Sequence, residues 1–122
     1  MIASVTDLPL EEQPISEQYR VAADEWADAE NAAHLLEELK TTTLEQKKCE
    51  LIDRDPKMSE AKAERLVKAS EDWELYLYDM CQARAAATFL KQKLRVIEMK
   101  HREWIDGNAS ARQEMRLTDL HP

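Results

Sequence analysis

The chain has 122 residues, 17 Lys and Arg against 25 Asp and Glu for a net charge of −8, and only one Gly and four Pro. That composition, rich in Ala, Glu, Lys, Leu and Arg, excludes collagen-like, strand-rich and glycine-loop architectures and matches the usage of long helices. No apolar run approaches a membrane span and no basic-then-apolar leader opens the sequence, so a cytoplasmic protein with no membrane contact is expected.

Residues 1–15 hold Pro9, Pro14 and the acidic pair Glu11 and Glu12 without periodicity, which predicts a flexible N-terminal arm. Ser16 is placed to cap a first long helix from Glu17. Its seam reads Tyr19, Ala22, Trp26, Ala29, Ala33 and Leu36 at steps of three and four, then turns polar through Lys40, Thr43, Lys47 and Glu50. Either the helix rolls its face toward Leu35, Leu39 and Leu44, or its second half borders solvent or a ligand. Arg54, Asp55 and Pro56 end it, because proline restricts the residue before it and cannot continue a helix interior. Ser59 can cap a short connector helix from Glu60 to about Ala69, and Ser70 the next one, whose first residues Glu71 and Asp72 suit a helix N-terminus.

The last helix carries the main signal. Trp73, Tyr76, Met80, Ala83, Ala87, Leu90, Leu94, Ile97, His101 and Trp104 recur every 3.5 residues over more than four heptads, roughly 48 Å of helix. A lone helix cannot bury so narrow a seam. Gly107 and Asn108 are expected to end it, with a short extension to Leu117.

These elements predict an all-α fold, two long helices in an antiparallel hairpin with a short connecting helix, coiled-coil-like and oligomeric, with residues 16–117 as one domain and 118–122 as a tail. A two-helix hairpin of this length is short of core, and oligomerisation is the usual remedy. Trp73, Tyr76 and Met80 face a stretch of the first helix that has become polar, which nominates them as the subunit contact. Cys49 and Cys81 show no CxxC spacing and are expected to be reduced, buried or half-buried thiols.

Charge is segregated. Residues 1–39 hold ten acids and one base, and residues 40–68 eight bases and six acids. Between Arg84 and Arg102 six bases face only Glu98. One consequence is that Asp24, Glu25, Asp28, Glu30, Glu37 and Glu38 lie beside that basic stretch and orient the hairpin. The other is a basic tip of Lys40, Lys47, Lys48, Arg54, Lys57, Lys62, Arg65 and Lys68 that meets nucleic-acid phosphates. The acidic first helix could instead act as a decoy, an inhibitor of a host nuclease or defence complex, and a purely structural helical oligomer is the remaining alternative.

Catalytic patterns are scarce. A single ExxH pair, Glu98 and His101, falls short of a di-metal bundle, and His101 on the seam is expected to be a hydrogen-bonded core residue. Phosphate loops, nucleophile elbows and catalytic Cys/His pairs do not occur. No enzymatic activity, metal or cofactor is expected.

Trp26 with its following Ala/Glu/Leu helix, the Lys47-Lys48 pair, Val67-Lys68-Ala69-Ser70 leading into Trp73, the long helix to Trp104, and the ending Glu114-Met115-Arg116-Leu117 resemble small helical proteins that tailed phages encode beside homologous-recombination genes. The resemblance covers about residues 19–117. More remotely, the long-helix, short-connector, long-helix plan looks like the UvsY-type recombination mediators. That family forms rings, binds single-stranded DNA and helps load a recombinase, with DNA contacts toward the end of its first long helix. The resemblance implies a homo-oligomer, single-stranded DNA and a phage or host recombination or replication protein as partners, action in the host cytoplasm, and Lys47, Lys48 and Arg54 as DNA-contact counterparts. The family's aromatic, glycine-rich connector is replaced here by Leu51-Ile52-Asp53-Arg54-Asp55-Pro56.

Overall fold

A computed structural model of the chain describes residues 8–120, and among these all regular structure is helical. A 3-10 turn at Leu10–Glu12 precedes helices α1 (Ile15–Glu38), α2 (Lys40–Arg54), α3 (Glu60–Lys68) and α4 (Glu71–Leu120). The chain divides into two compact units, Ala27–Phe89 and a second drawn from residues up to Trp26 and from Leu90 onward. None of the described helices is long and apolar enough to cross a membrane.

Each helix boundary has a local cause. The backbone N–H groups of Glu17 and Gln18 both donate to the Pro14 carbonyl at 3.0 Å, so α1 starts at Ile15, one residue before the expected Ser16 cap. Residues 1–7 of the expected arm lie outside the described residues, as do 121 and 122 of the expected tail.

The first long helix is not continuous. It breaks at Leu39, where φ −86° and ψ 0° drift to the margin of the right-handed helical region while Leu39 N still donates to Leu35 O and Thr43 N to Leu39 O, at 3.0 and 2.8 Å. Thr41, Thr42 and Thr43 follow, three β-branched residues with low helix propensity in the first turn of α2. The hydrogen-bond ladder persists across the break, which explains why neither proline nor glycine announces it. Leu35 and Leu39 stay exposed, whereas Leu44, Leu51 and Ile52 of α2 are half-buried.

At the end of α2, Pro56 keeps Asp55 out of the helical region, at φ −137° and ψ 86°. The Asp55 carboxylate then accepts from Lys57 N at 3.3 Å, a side-chain-closed turn. Ser59 caps α3 as expected, its Oγ accepting from Lys62 N at 3.2 Å. Ser70 joins α3 to α4 twice over: its hydroxyl donates to Val67 O at 2.6 Å and accepts from Trp73 N at 3.2 Å. Ser70→Ala is therefore expected to cost about 1 kcal/mol, read as a lower midpoint in urea unfolding with an unchanged slope.

The Ala27–Phe89 unit is built around Ala33, Ala63, Val67, Trp73 and Ala87, all buried, with Ala33, Ala63 and Ala87 at 0% exposure. Methyl side chains at these points permit close backbone approach, and the large indole of Trp73 fills the remaining space. In the other unit Ala22, Leu94 and Ile97 form the core, with Ile15, Ala23 and Trp26 packed against them.

The α4 seam is buried or half-buried at each position from Trp73 to Ile97. His101 and Trp104 were expected to continue it, but both are exposed, Trp104 at 62%, and their rings stack at 6.2 Å. Ile15, the first residue of α1, already packs on the cluster containing Ile97, so the seam outruns its helical cover. Nor does Gly107 end α4. No atom lies within 4 Å of where its Cβ would sit, its φ is not positive, and the helix continues through Asn108 to Leu120. The two thiols also differ from expectation: Cys49 and Cys81 are free and exposed, because each lies off its helix's buried stripe.

Candidate nucleic-acid interface

The eight basic residues of the expected tip all belong to the Ala27–Phe89 unit, where α2 packs on α3 and reaches the start of α4 through Lys47 and the groove it shares with Trp73 and Leu77. The structure sorts them into two sets. Lys47, Lys48 and Lys68 are in ion pairs. Lys47 Nζ lies 3.9 Å from Asp72, Lys68 Nζ 3.3 Å from Glu64, and Lys48 Nζ donates to Glu45 at 3.2 Å.

Lys48 is moreover buried, at 9% exposure, on the face of α2 that turns inward. Its hydrogen bond to Glu45 raises its pKa above the ordinary lysine value, against the opposing effect of burial, with Glu64 and Glu60 adding to the rise. A cation held this way keeps its charge and presents little of it to solvent.

Lys40, Arg54, Lys57, Lys62 and Arg65 are exposed and in no ion pair among the described residues. Lys40, at the start of α2, and Lys68, at the end of α3, line one open groove of about 490 Å³ with Thr41, Leu44, Trp73 and Leu77. Lys62 and Arg65 flank a second groove of about 500 Å³ with Leu66 and Ala69. Two grooves rimmed by cations and floored by apolar side chains suit a polyanion whose phosphates lie outside and whose bases or sugars face inward.

The expected subunit-contact residues are largely occupied within the chain. Trp73 is 4% exposed and stacks on Tyr76 with ring centroids 5.4 Å apart and planes 6° from parallel. Tyr76 Oη in turn donates to Leu36 O at 2.5 Å, a polar tie between α4 and α1. Met80 is half-buried beside Glu37 and Arg84.

Arg84 makes a contact that the sequence reading did not resolve. Its guanidinium takes Glu37 in a bidentate grip, Nε to Oε2 at 2.9 Å and Nη2 to Oε1 at 2.6 Å, and gives Nη1 to Glu30 at 2.7 Å. Glu30 and Glu37 stand seven residues apart on α1, on one side of the enclosed Ala33, so one planar fork spans both. The Arg84 hydrogen bond holds the Glu37 carboxyl below the usual carboxylate range, and the two acids push the Arg84 pKa up. The seven-residue spacing of Glu30 and Glu37 was the available signal.

Other acids of the stretch are engaged too, whereas Asp28 is in no ion pair among the described residues. Arg20 bridges Glu17 and Asp24 at 2.5 and 3.3 Å, and lowers the Glu17 pKa through that hydrogen bond. Glu25 meets Lys93 at 3.6 Å. In the same unit the Lys91 ammonium sits 6.0 Å from the centre of the Trp26 ring, whose buried Nε1 has no hydrogen-bond partner among the described residues. His34 faces Glu38 at 3.3 Å, and Glu98 and His101 line a small groove with Ile15, Ser16, Tyr19 and Ile97. No group of three or more potential metal ligands occurs among the described residues.

The arrangement sets cations at groove rims, with nine acids held in intramolecular ion pairs among the described residues. No family model matches the chain, no curated protein is significantly similar to it, and no solved structure matches it.

Proposed function

We propose that this protein is a phage recombination accessory factor of the mediator type, binding single-stranded DNA through the exposed cations of α2, α3 and their connecting loop and acting with recombination partners in the host cytoplasm. The observation that carries the reading is the set of five cations, Lys40, Arg54, Lys57, Lys62 and Arg65, exposed on α2, α3 and their connecting loop and in no ion pair among the described residues, in a chain whose net charge is −8. A surface that keeps its positive charge free while lysines beside it are neutralised has its own electrostatic character. Lys47 and Lys68 stand at the margin, and Lys48 serves α2 packing in this reading.

The antiparallel hairpin belongs to the same proposal. Its support is the order of contacts inside each unit: Leu36 with Tyr76 and Glu30 with Arg84 in one, Glu25 with Lys93 in the other. Numbers rise along α4 as they fall along α1. Self-assembly, which multiplies weak contacts along one strand, would let a modest basic surface hold DNA. The acidic-inhibitor reading has less support, because Glu17, Asp24, Glu25, Glu30 and Glu37 are already paired with the chain's own cations.

Fluorescence anisotropy with a labelled oligonucleotide tests the DNA contact. Five phosphate contacts predict a log–log salt slope of about −3.5 for a single strand. Lys40→Ala with Lys62→Ala and Arg65→Ala should reduce that slope by about 2 and weaken binding at low salt by at least ~10-fold. Lys48→Ala should change binding little. Absence of any anisotropy change at low salt would sink the reading.

A further inference from the structure

Trp104 is the tryptophan that the fold leaves in solvent. It is 62% exposed, against 4% for Trp73, while Trp26 is half-buried. An indole carries a large apolar surface and is highly buried on average, so an open one asks for a use. Nor is the ring loose. It stacks on His101 with centroids 6.2 Å apart and planes 14° from parallel, and His101 borders the groove of Ile15, Tyr19 and Ile97, beside the packed core of that unit. Side chains on a helix lean toward its N-terminus, so Trp104 lies back over the turn that carries His101 and keeps its other ring face for the turn ahead. That turn holds Gly107. No atom lies within 4 Å of where a Cβ there would sit, so the space beyond the ring is clear.

We propose that Trp104, backed by His101, is a stacking platform for one unpaired base of single-stranded DNA, the base lying on the indole face that looks over Gly107. Charge identifies the ligand. The positions one turn either side of Trp104 are Lys100, His101, Gly107 and Asn108, none of them acidic, whereas at about 3.6 residues per turn Glu98, Glu103 and Asp106 fall on other faces of α4. Lys100 is exposed and in no ion pair among the described residues, which suits the phosphodiester that arrives with a base. Asn108, half-buried, offers an amide that both donates and accepts at a base edge. Stacking is tolerant of sequence, because every base has a π-face, and in a single strand that face is free.

A second copy of the helix fits this face less well. Beyond Trp104 it carries Gly107, Asn108 and Ala111, without the run of aliphatic knobs that a helix pair needs. Glycine weakens a helix interior, and at 107 it keeps a side chain off the ring. The inference rests on the single-stranded DNA reading for its ligand, but uses another part of the chain. Trp104 belongs to the unit that includes the residues from Leu90 onward, and the basic grooves to Ala27–Phe89.

Intrinsic fluorescence and anisotropy of the full chain, titrated with oligothymidylate and with an abasic strand of the same length, test it together. Thymidylate should quench the emission of the exposed tryptophan. The abasic strand brings phosphates alone, and should bind on the order of 10-fold more weakly and leave the emission nearly unchanged. Trp104→Leu should abolish the quenching and weaken thymidylate binding on the order of 10-fold, with affinity for the abasic strand kept. Gly107→Leu retains the tryptophan and favours the helix, and its side chain leans back over the preceding turn, so it should also suppress quenching while circular dichroism shows no loss of helix. If neither strand changes the anisotropy, the single-stranded DNA reading falls and this inference with it. Equal affinity for the two strands, or thymidylate binding without quenching, overturns the stacking site alone. So does a Trp104→Leu chain that binds thymidylate as tightly as the unaltered one.

Discussion

Trp73→Ala is expected to lower the stability of the Ala27–Phe89 unit by about 3–5 kcal/mol, the range for removing a buried tryptophan. The indole is 4% exposed and, among the described residues, is the largest buried hydrophobic side chain of that unit, the other buried ones being Ala33, Ala63, Val67 and Ala87. The loss also frees Tyr76 from its stack, and with it the orientation of the hydroxyl that donates to Leu36. Small domains possess about 5–15 kcal/mol in all, so the change takes a large share. Thermal unfolding should show a midpoint lowered by on the order of 15 °C, and hydrogen exchange should place the new openings in α2, α3 and the first turns of α4. A midpoint within a few degrees of the unaltered chain would show that the unit's cohesion lies elsewhere.

Arg84→Glu should have the next largest effect, because it replaces the fork between Glu30 and Glu37 with a third acid at the same place. The expected result is a clear fall in thermal midpoint at neutral pH that added salt partly reverses, since the site is half-exposed. Arg84→Met separates loss of attraction from gain of repulsion. With Arg84 present, the Glu37 pKa lies below its unfolded value. Its contribution is therefore complete above the unfolded carboxylate pKa and is lost as pH falls through the lower, folded value. The midpoint difference between the unaltered chain and Arg84→Met should accordingly be steady near neutrality and shrink in acid, once the carboxyl is protonated in both states. A gap that widened as the pH fell would contradict the assignment.

The parts of this fold that could be read from sequence are those set by a repeat. The α4 seam from Trp73 to Ile97 was legible because eight positions at 3.5-residue spacing leave one helix face available for burial. The caps at Ser59 and Ser70 were legible because a hydroxyl before an acidic first turn has a single efficient use. The break at Leu39 was not, since the hydrogen bonds on either side of it are kept and only the dihedrals drift. Lys48 was misplaced for a related reason: the break changes which side of α2 turns inward, and with it the difference between a surface lysine and a buried one.

His101 and Trp104 kept the heptad rhythm, yet rhythm records which face a residue occupies and not whether anything covers it. The candidate interface was legible as a count of cations, while their division into paired and unpaired needed distances. The clamp at Arg84 went unread because its partners lie 47 and 54 residues away.

The continuation of α4 through Gly107 has a consequence for how that end of the chain is held. From His101 to Thr118 nearly every residue is exposed, so conformation there rests on the balance between helix propagation and chain entropy, with little contribution from packing. Glycine shifts that balance toward coil by about 1 kcal/mol relative to alanine, and a stretch this short is marginal on its own. The distal turns of α4 are consequently a place where order is supplied by propagation from the packed turns before Ile97, and where a single residue in the middle sets how far that propagation reaches.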